Sequence, residues 1–185
     1  MAAPPFLLTR RDNLAAMLPG FLIYALLGEA RAAVPAGRSS PAAWIADQDE
    51  LARMLAAGRI TGPAWCDEVE RLGRRVDLEA LMATVQRSDL RRAALSSAND
   101  PSKRYVKFLD ENGSPRGLAY GAALFDFQPH NVITPHGHKH MVSAHMVVAG
   151  RFLVPNFDRL RDEENTMVIR PTRDYVARLG DVSTM

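Results

Sequence analysis

Apolar and polar residues follow one spacing in the first half of this chain and another in the second. After Ser40-Pro41, the apolar residues Trp44, Ile45, Leu51, Met54 and Leu55 recur at helical intervals, and Gly58 ends the run. This predicts a helix opening at Pro41 with Ser40 as its cap, since a serine oxygen can accept a free first-turn N–H. Thr61-Gly62-Pro63 opens a second helix, whose apolar stripe is Trp65, Val69, Leu72 and Val76. Asp77 caps a third, carrying Leu78, Leu81, Met82, Val85 and Leu90.

Beyond a loop at Ser96–Ser102 the pattern shortens to that of strands. Tyr105–Leu109 alternates, and Glu111-Asn112-Gly113-Ser114-Pro115 follows as a turn. Leu118–Phe127, Met141–Ala149, Arg151–Val154, Thr166–Arg170 and Tyr175–Arg178 complete the strand series. Helices first and strands afterwards predict an α+β protein with segregated layers, its β part an antiparallel sandwich or barrel. The expected organisation is a helical segment over 41–97 and a β segment over 98–185.

Residues 1–32 read as an address. Arg10-Arg11 precedes an apolar run from Leu14 to Leu27, and Ala30-Arg31-Ala32 offers a small-residue cleavage site. The order resembles a twin-arginine export signal, with Asn13 where that motif favours a bulky apolar residue. The expected destination is the periplasm or the exterior. Residues 33–40, rich in Pro, Gly and Ser, form a linker. The apolar run is broken by Pro19-Gly20 and is too short for a stable membrane span.

Composition narrows the chemistry. The chain is 47% hydrophobic and 24% charged, the balance of a globular protein. Its 23 basic and 21 acidic residues leave a net charge of +2, too even to imply a nucleic-acid partner. The clusters Arg71/Arg74/Arg75 and Arg87/Arg91/Arg92 are expected to be solvated helix faces offset by Asp67, Glu68, Glu70 and Asp89. The single cysteine, Cys66, excludes an internal disulfide and a paired-cysteine zinc site, and is expected on a helix face or in the core.

Histidine is the informative residue. All five lie between His130 and His145. If the segment is extended, His136 and His138 face one side and can present two imidazoles to one metal ion. Gly137 between them allows the backbone to bend. His145 stands two residues past Ser143 and shares its side of a strand, making it a candidate third ligand or active-site residue. His140 and Ser143 are candidates to support the ligands, and His130 is expected in solvent.

His136-Gly137-His138, the spacers Lys139 to Val142, Ser143 and then Gly150 resemble the first signature of the cupin superfamily. Ser143 takes the position of that signature's glutamate. Cysteine dioxygenase and its thiol dioxygenase relatives bind iron through three histidines without that carboxylate, and the helical segment ahead of the barrel is similar to that branch. Leu179-Gly180-Asp181 resembles the opening of the second cupin signature, whose later histidine has no counterpart after His145. The resemblance therefore implies a jelly-roll barrel that is incomplete at its C-terminal end, and a fragment is the expected reading.

The function implied is an exported non-haem Fe(II) dioxygenase acting on a small substrate, a thiol among the candidates, with His136, His138 and His145 as metal ligands. Arg104, Arg116 and Tyr120 are candidate anchors for a substrate carboxylate. The residues leave two alternatives open: a non-catalytic cupin that binds a small ligand or stabilises a partner, and a zinc or manganese isomerase or hydrolase. Cupins pair through sheet edges, so a homodimer is a candidate assembly.

Overall fold

The computed structural model describes residues 6–9, 20–25, 38–95, 99–136, 141–164 and 166–185. Arg10-Arg11, Ala30–Ala32, His138 and His140, each read above as functional, lie outside the described residues.

Three helices come first in the body of the chain. Helix α1 spans Pro41–Ala56, and Ser40 Oγ accepts the Ala43 N–H at 3.3 Å. Helix α2 spans Gly62–Gly73, with Thr61 Oγ1 accepting from Ala64. Helix α3 spans Leu78–Gln86, with Asp77 Oδ1 accepting from Ala80 at 3.0 Å. All three caps stand where the sequence puts them, because each side-chain oxygen satisfies an N–H that has no partner within the helix. Gly58, at φ +66°, lets the chain turn out of α1. The apolar stripes meet: Trp44, Ile45, Ala52, Trp65, Val69, Leu72, Leu81 and Val85 are buried in one core. Cys66 is half-buried against it. Arg71 pairs with Glu68, Arg74 with Glu70 and Arg91 with Asp89, so these charges are solvated and offset.

The third helix is shorter than its apolar pattern. It ends at Gln86, and Leu90 falls in strand β3, Asp89–Arg92. Ser88 donates its hydroxyl to the Thr84 carbonyl, closing the last turn. Leu90 then pairs with Val106 of strand β4, Ser102–Lys107. A sheet edge outcompetes one more helical turn, so the helical segment contributes a strand.

The remaining strands are β1 (Phe6–Thr9), β2 (Gly20–Ala25), β5 (Gly121–Asp126), β6 (Ser143–Val147), β7 (Arg151–Asp162), β8 (Thr166–Arg178) and β9 (Val182–Thr184). They form a six-stranded sheet in the order β3-β4-β5-β2-β6-β9 and a three-stranded sheet in the order β1-β8-β7. Antiparallel pairs predominate, but β2 runs parallel to both β5 and β6. The protein is α+β with segregated helices, as the pattern predicts. The described strands form two open sheets and no closed barrel. Positions 20–25, inside the segment read as an export leader, occupy the middle of the larger sheet.

One face of that sheet packs on the helices. Val106, Ala122, Leu124, Ala144 and Met146 are buried in the same core as the two tryptophans. The other face carries the intervening residues: Lys103, Tyr105 and Lys107 on β4, Ala123 and Phe125 on β5, Ser143, His145 and Val147 on β6. Lys103 Nζ lies 4.7 Å from the centre of the Tyr105 ring and 5.3 Å from that of Phe125.

The hairpin β7–β8 is longer than its sequence signals. Arg151–Val154 continues to Asp162, and the two segments Thr166–Arg170 and Tyr175–Arg178 are one strand. Pro171 lies within it, opposite Phe157 and beside a register shift. A residue without N–H is tolerated there because the ladder is already interrupted, and because β1 pairs with β8 only as far as Ile169. After β8, Gly180 at φ +87° and Asp181, whose Oδ2 accepts the Arg178 N–H at 2.7 Å, turn the chain into β9.

Candidate functional site: the histidine segment and a cationic cleft

Strand β6 places two of the candidate residues. Ser143 is buried at 1% exposure, and His145, two positions on, is half-buried on the same face. His145 stands in register with Ser183 of β9 on one side and with position 22 of β2 on the other. The same cross-strand row continues through Ala123, Tyr105 and Arg91.

His136 is not on a strand. Residues 131–136 are irregular and His136 is exposed; the strand begins only at Ser143. Strand alternation therefore does not set the direction of His136. Pro135 supplies no N–H for a ladder, and Gly137 has no side chain to pack on one. His136 Nδ1 lies 2.9 Å from the Thr134 carbonyl oxygen. A carbonyl only accepts, so Nδ1 is the donor in this contact, and in the neutral ring Nε2 then carries the lone pair. His130 is exposed, as expected. Among the described residues no three His, Cys, Asp or Glu side chains gather as a metal-binding group.

The entry to the histidine segment is fastened by a residue that sequence reasoning passed over. Asn131 donates from Nδ2 to the carbonyls of Asn99 and Asp100, both at 3.2 Å, and its Oδ1 accepts the Gln128 N–H at 2.7 Å. A side chain that bonds local backbone is common in loops, and nothing in the sequence names its distant partners.

The three candidate anchors separate. Arg104 is engaged by Asp126 at 2.8 Å. Arg116 and Tyr120 line a single cleft of about 210 Å³ beside β4, together with Arg91, Lys107, Tyr105 and Leu118. Asp49 on α1 holds the approach to Tyr120: its Oδ1 accepts the Ala119 N–H at 2.5 Å while its Oδ2 pairs with Arg53. Tyr120 is buried at 7% exposure, and its hydroxyl has no hydrogen-bond partner among the described residues. Burial, followed by the charge of Asp49, pushes its phenol above the ordinary range, while Arg116 pulls it back in part. The hydroxyl is thus a proton donor at neutral pH. Arg116 also borders a larger cavity of about 420 Å³ between α1 and α3, lined by Ile45, Ala83, Thr84 and Arg87.

The cleft and the start of β6 lie at one end of the sheet. Tyr120 immediately precedes β5, Met141 and Val142 lead into β6, and these strands run the same way on either side of β2. Two strand spacings, about 10 Å, separate their starts. No helix among the described residues is long and apolar enough to cross a membrane. No protein-family model matches this chain, and no curated protein or solved structure matches it either.

Proposed function

We propose that this chain is an exported metal-binding protein of cupin type, a non-haem Fe(II) dioxygenase acting on a small substrate, with its two sheets as parts of a jelly roll. The observation that carries the reading is the Nδ1 contact of His136 to the Thr134 carbonyl. A histidine that donates through one ring nitrogen to a carbonyl presents the other as a ligand, an arrangement found around most protein-bound metals. The donor chemistry fits: imidazoles suit iron, and Ser143 in place of a carboxylate leaves a neutral ligand set. His136, His138 and His145 would hold the ion, and Fe(II) would supply the electrons for dioxygen chemistry. Ser143, buried and two residues from His145, would orient the ligands through its hydroxyl; His140 would stand beside them. Export is supported by the arginine pair, apolar run and small-residue site in that order.

Anaerobic calorimetric titration of the full chain with Fe(II) tests the metal. One saturable equivalent is expected, weakened strongly by His136→Ala and by His138→Ala. Unchanged binding in both variants would overturn the assignment. Oxygen uptake by the Fe(II)-loaded protein in the presence of small thiols then separates a dioxygenase from a binder.

A further inference from the structure

The hairpin β7–β8 covers one of its faces and leaves the other bare. Phe152, Val154, Tyr175 and Ala177 are half-buried or buried, and the Phe152 ring meets Phe127 edge to face at 5.0 Å between centres. Alternation puts Arg151, Leu153 and Pro155 of β7 on the opposite face, with Arg178, Val176 and Asp174 of β8 across from them, and all six are exposed. A solvated sheet face is ordinarily polar. Here Leu153 and Val176 are direct cross-strand neighbours at 68% and 51% exposure. The row before them sets Arg151 against Arg178, a pairing that repels. Among the described residues Arg151, Asp174 and Arg178 have no ion-pair partner. Asp181, in the turn after β8, accepts the Arg178 backbone N–H, and Arg173 lies over the Tyr175 ring on the covered face. The bare face is thus three rows in order: a cationic row, an apolar row, and a row holding one acid.

We propose that this face packs on the same face of a second copy of the chain, about a twofold axis running along the Leu153–Val176 row. Rotation about that axis reverses the strands and lays the apolar row on itself. It also sets Arg178 over Asp174 of the second copy, and Asp174 over Arg178 of the second copy. The surface is therefore self-complementary, as a twofold contact requires. An axis parallel to the strands would lay arginine on arginine, so the charges select one arrangement. Within one chain Arg178 and Asp174 stand about 14 Å apart along the strand, with Val176 between them. Packed sheets stand about 10 Å apart, a gap that an arginine side chain bridges. The contact is between faces and not between edges: at its edge β7 carries Pro155 and a register shift, which discourage the addition of a strand. The face is small beside a standard interface, so the dimer is transient, with a Kd of about 0.1 mM. None of these residues is a candidate metal ligand, so this proposal and the metal reading fail separately.

Sedimentation equilibrium of the full chain, over concentrations about tenfold either side of that Kd, tests the contact. A reversible monomer–dimer equilibrium is expected. Leu153→Glu changes a side chain that the fold leaves in solvent, and should abolish association while leaving the thermal midpoint in place. Arg178→Asp and Asp174→Arg should each weaken association about tenfold or more, because each brings like charges together twice. An equimolar mixture of these two variants should recover it, since every exchanged charge then meets its opposite. That recovery separates a lost contact from a lost fold. A chain that stays monomeric throughout, association that survives Leu153→Glu, or a mixture that associates no better than its components would each overturn the proposal.

Discussion

Val182 on β9 occupies the space that a side chain on Gly73 of α2 would need, with Met146 Sδ beside it. The helix can come this close to the sheet only because residue 73 has no Cβ. Thr184, two residues on, donates its hydroxyl to Glu70 Oε1 at 2.9 Å, fastening the same strand to the same helix. Gly73→Ala should therefore destabilise the chain by about 1–3 kcal/mol through overpacking, although alanine is the better helix former. Urea unfolding measures it, and Val182→Ala in the same chain should recover much of the loss. Additive costs for the two changes would show that the residues do not compete for one space.

Tyr120 makes stability depend on alkaline pH. Its phenol is held neutral in the folded chain above the usual value of 10, chiefly by burial. Above about pH 10 the unfolded chain releases this proton while the folded one keeps it, so stability is present below that pH and falls as pH rises. Tyr120→Phe removes the group from both states. Thermal midpoints from pH 8 to about 11 should fall more steeply in the parent than in this variant, and parallel curves would refute the assignment.

Asn131 should act on the histidine segment without touching a metal. Asn131→Ala removes the bonds to Asn99 and Asp100 and the acceptor for Gln128. The expected outcome is faster amide exchange over 128–136, with a global stability loss of only about 1–2 kcal/mol. Fe(II) affinity should fall with it, because a looser segment presents its ligands less often in one geometry. Unchanged exchange in this loop would mean that Pro129 and Pro135 hold it instead.

Removal of residues 1–32, as the export reading requires, takes β2 out of the larger sheet. Strands β5 and β6 then each lose a partner along their facing edges. Amide exchange over 121–126 and 143–147 should accelerate in a chain beginning at Ala33, and the open edges should promote association at high concentration. Equal protection in both chains would show that another segment fills the gap once the leader is gone.

The three helices were legible because their signals are local. A capping oxygen, a first-turn proline and an apolar stripe act within a few residues of one another, so Ser40, Thr61 and Asp77 mark their helices without reference to the rest of the chain. Positions where a distant segment decides were not legible. Leu90 continues a helical stripe in sequence but lies in a strand, because the edge of β4 offers it Val106. His136 and Ser143 fall within one short sequence pattern that resembles a strand signature, yet only Ser143 is on the strand. Pro171 reads as a break between two strands and instead lies inside one, at an irregularity that its partner strand absorbs.

The sequence by itself determined the α+β class, the run of three helices after Ser40, the clustering of every histidine in one short segment and the near-neutral charge; it did not show the two strands, β1 and β2, that precede the helices. Each depends on composition or on neighbours along the chain. Only the tertiary structure decided that residues 20–25 stand between β5 and β6, that Gly73 must remain bare for Val182, and that Arg116 and Tyr120 line one cleft while Arg104 is engaged by Asp126. Strand pairing, close approach and the sharing of a cavity join residues far apart in sequence. No local spacing encodes them, because their free energy arises only when the surfaces meet.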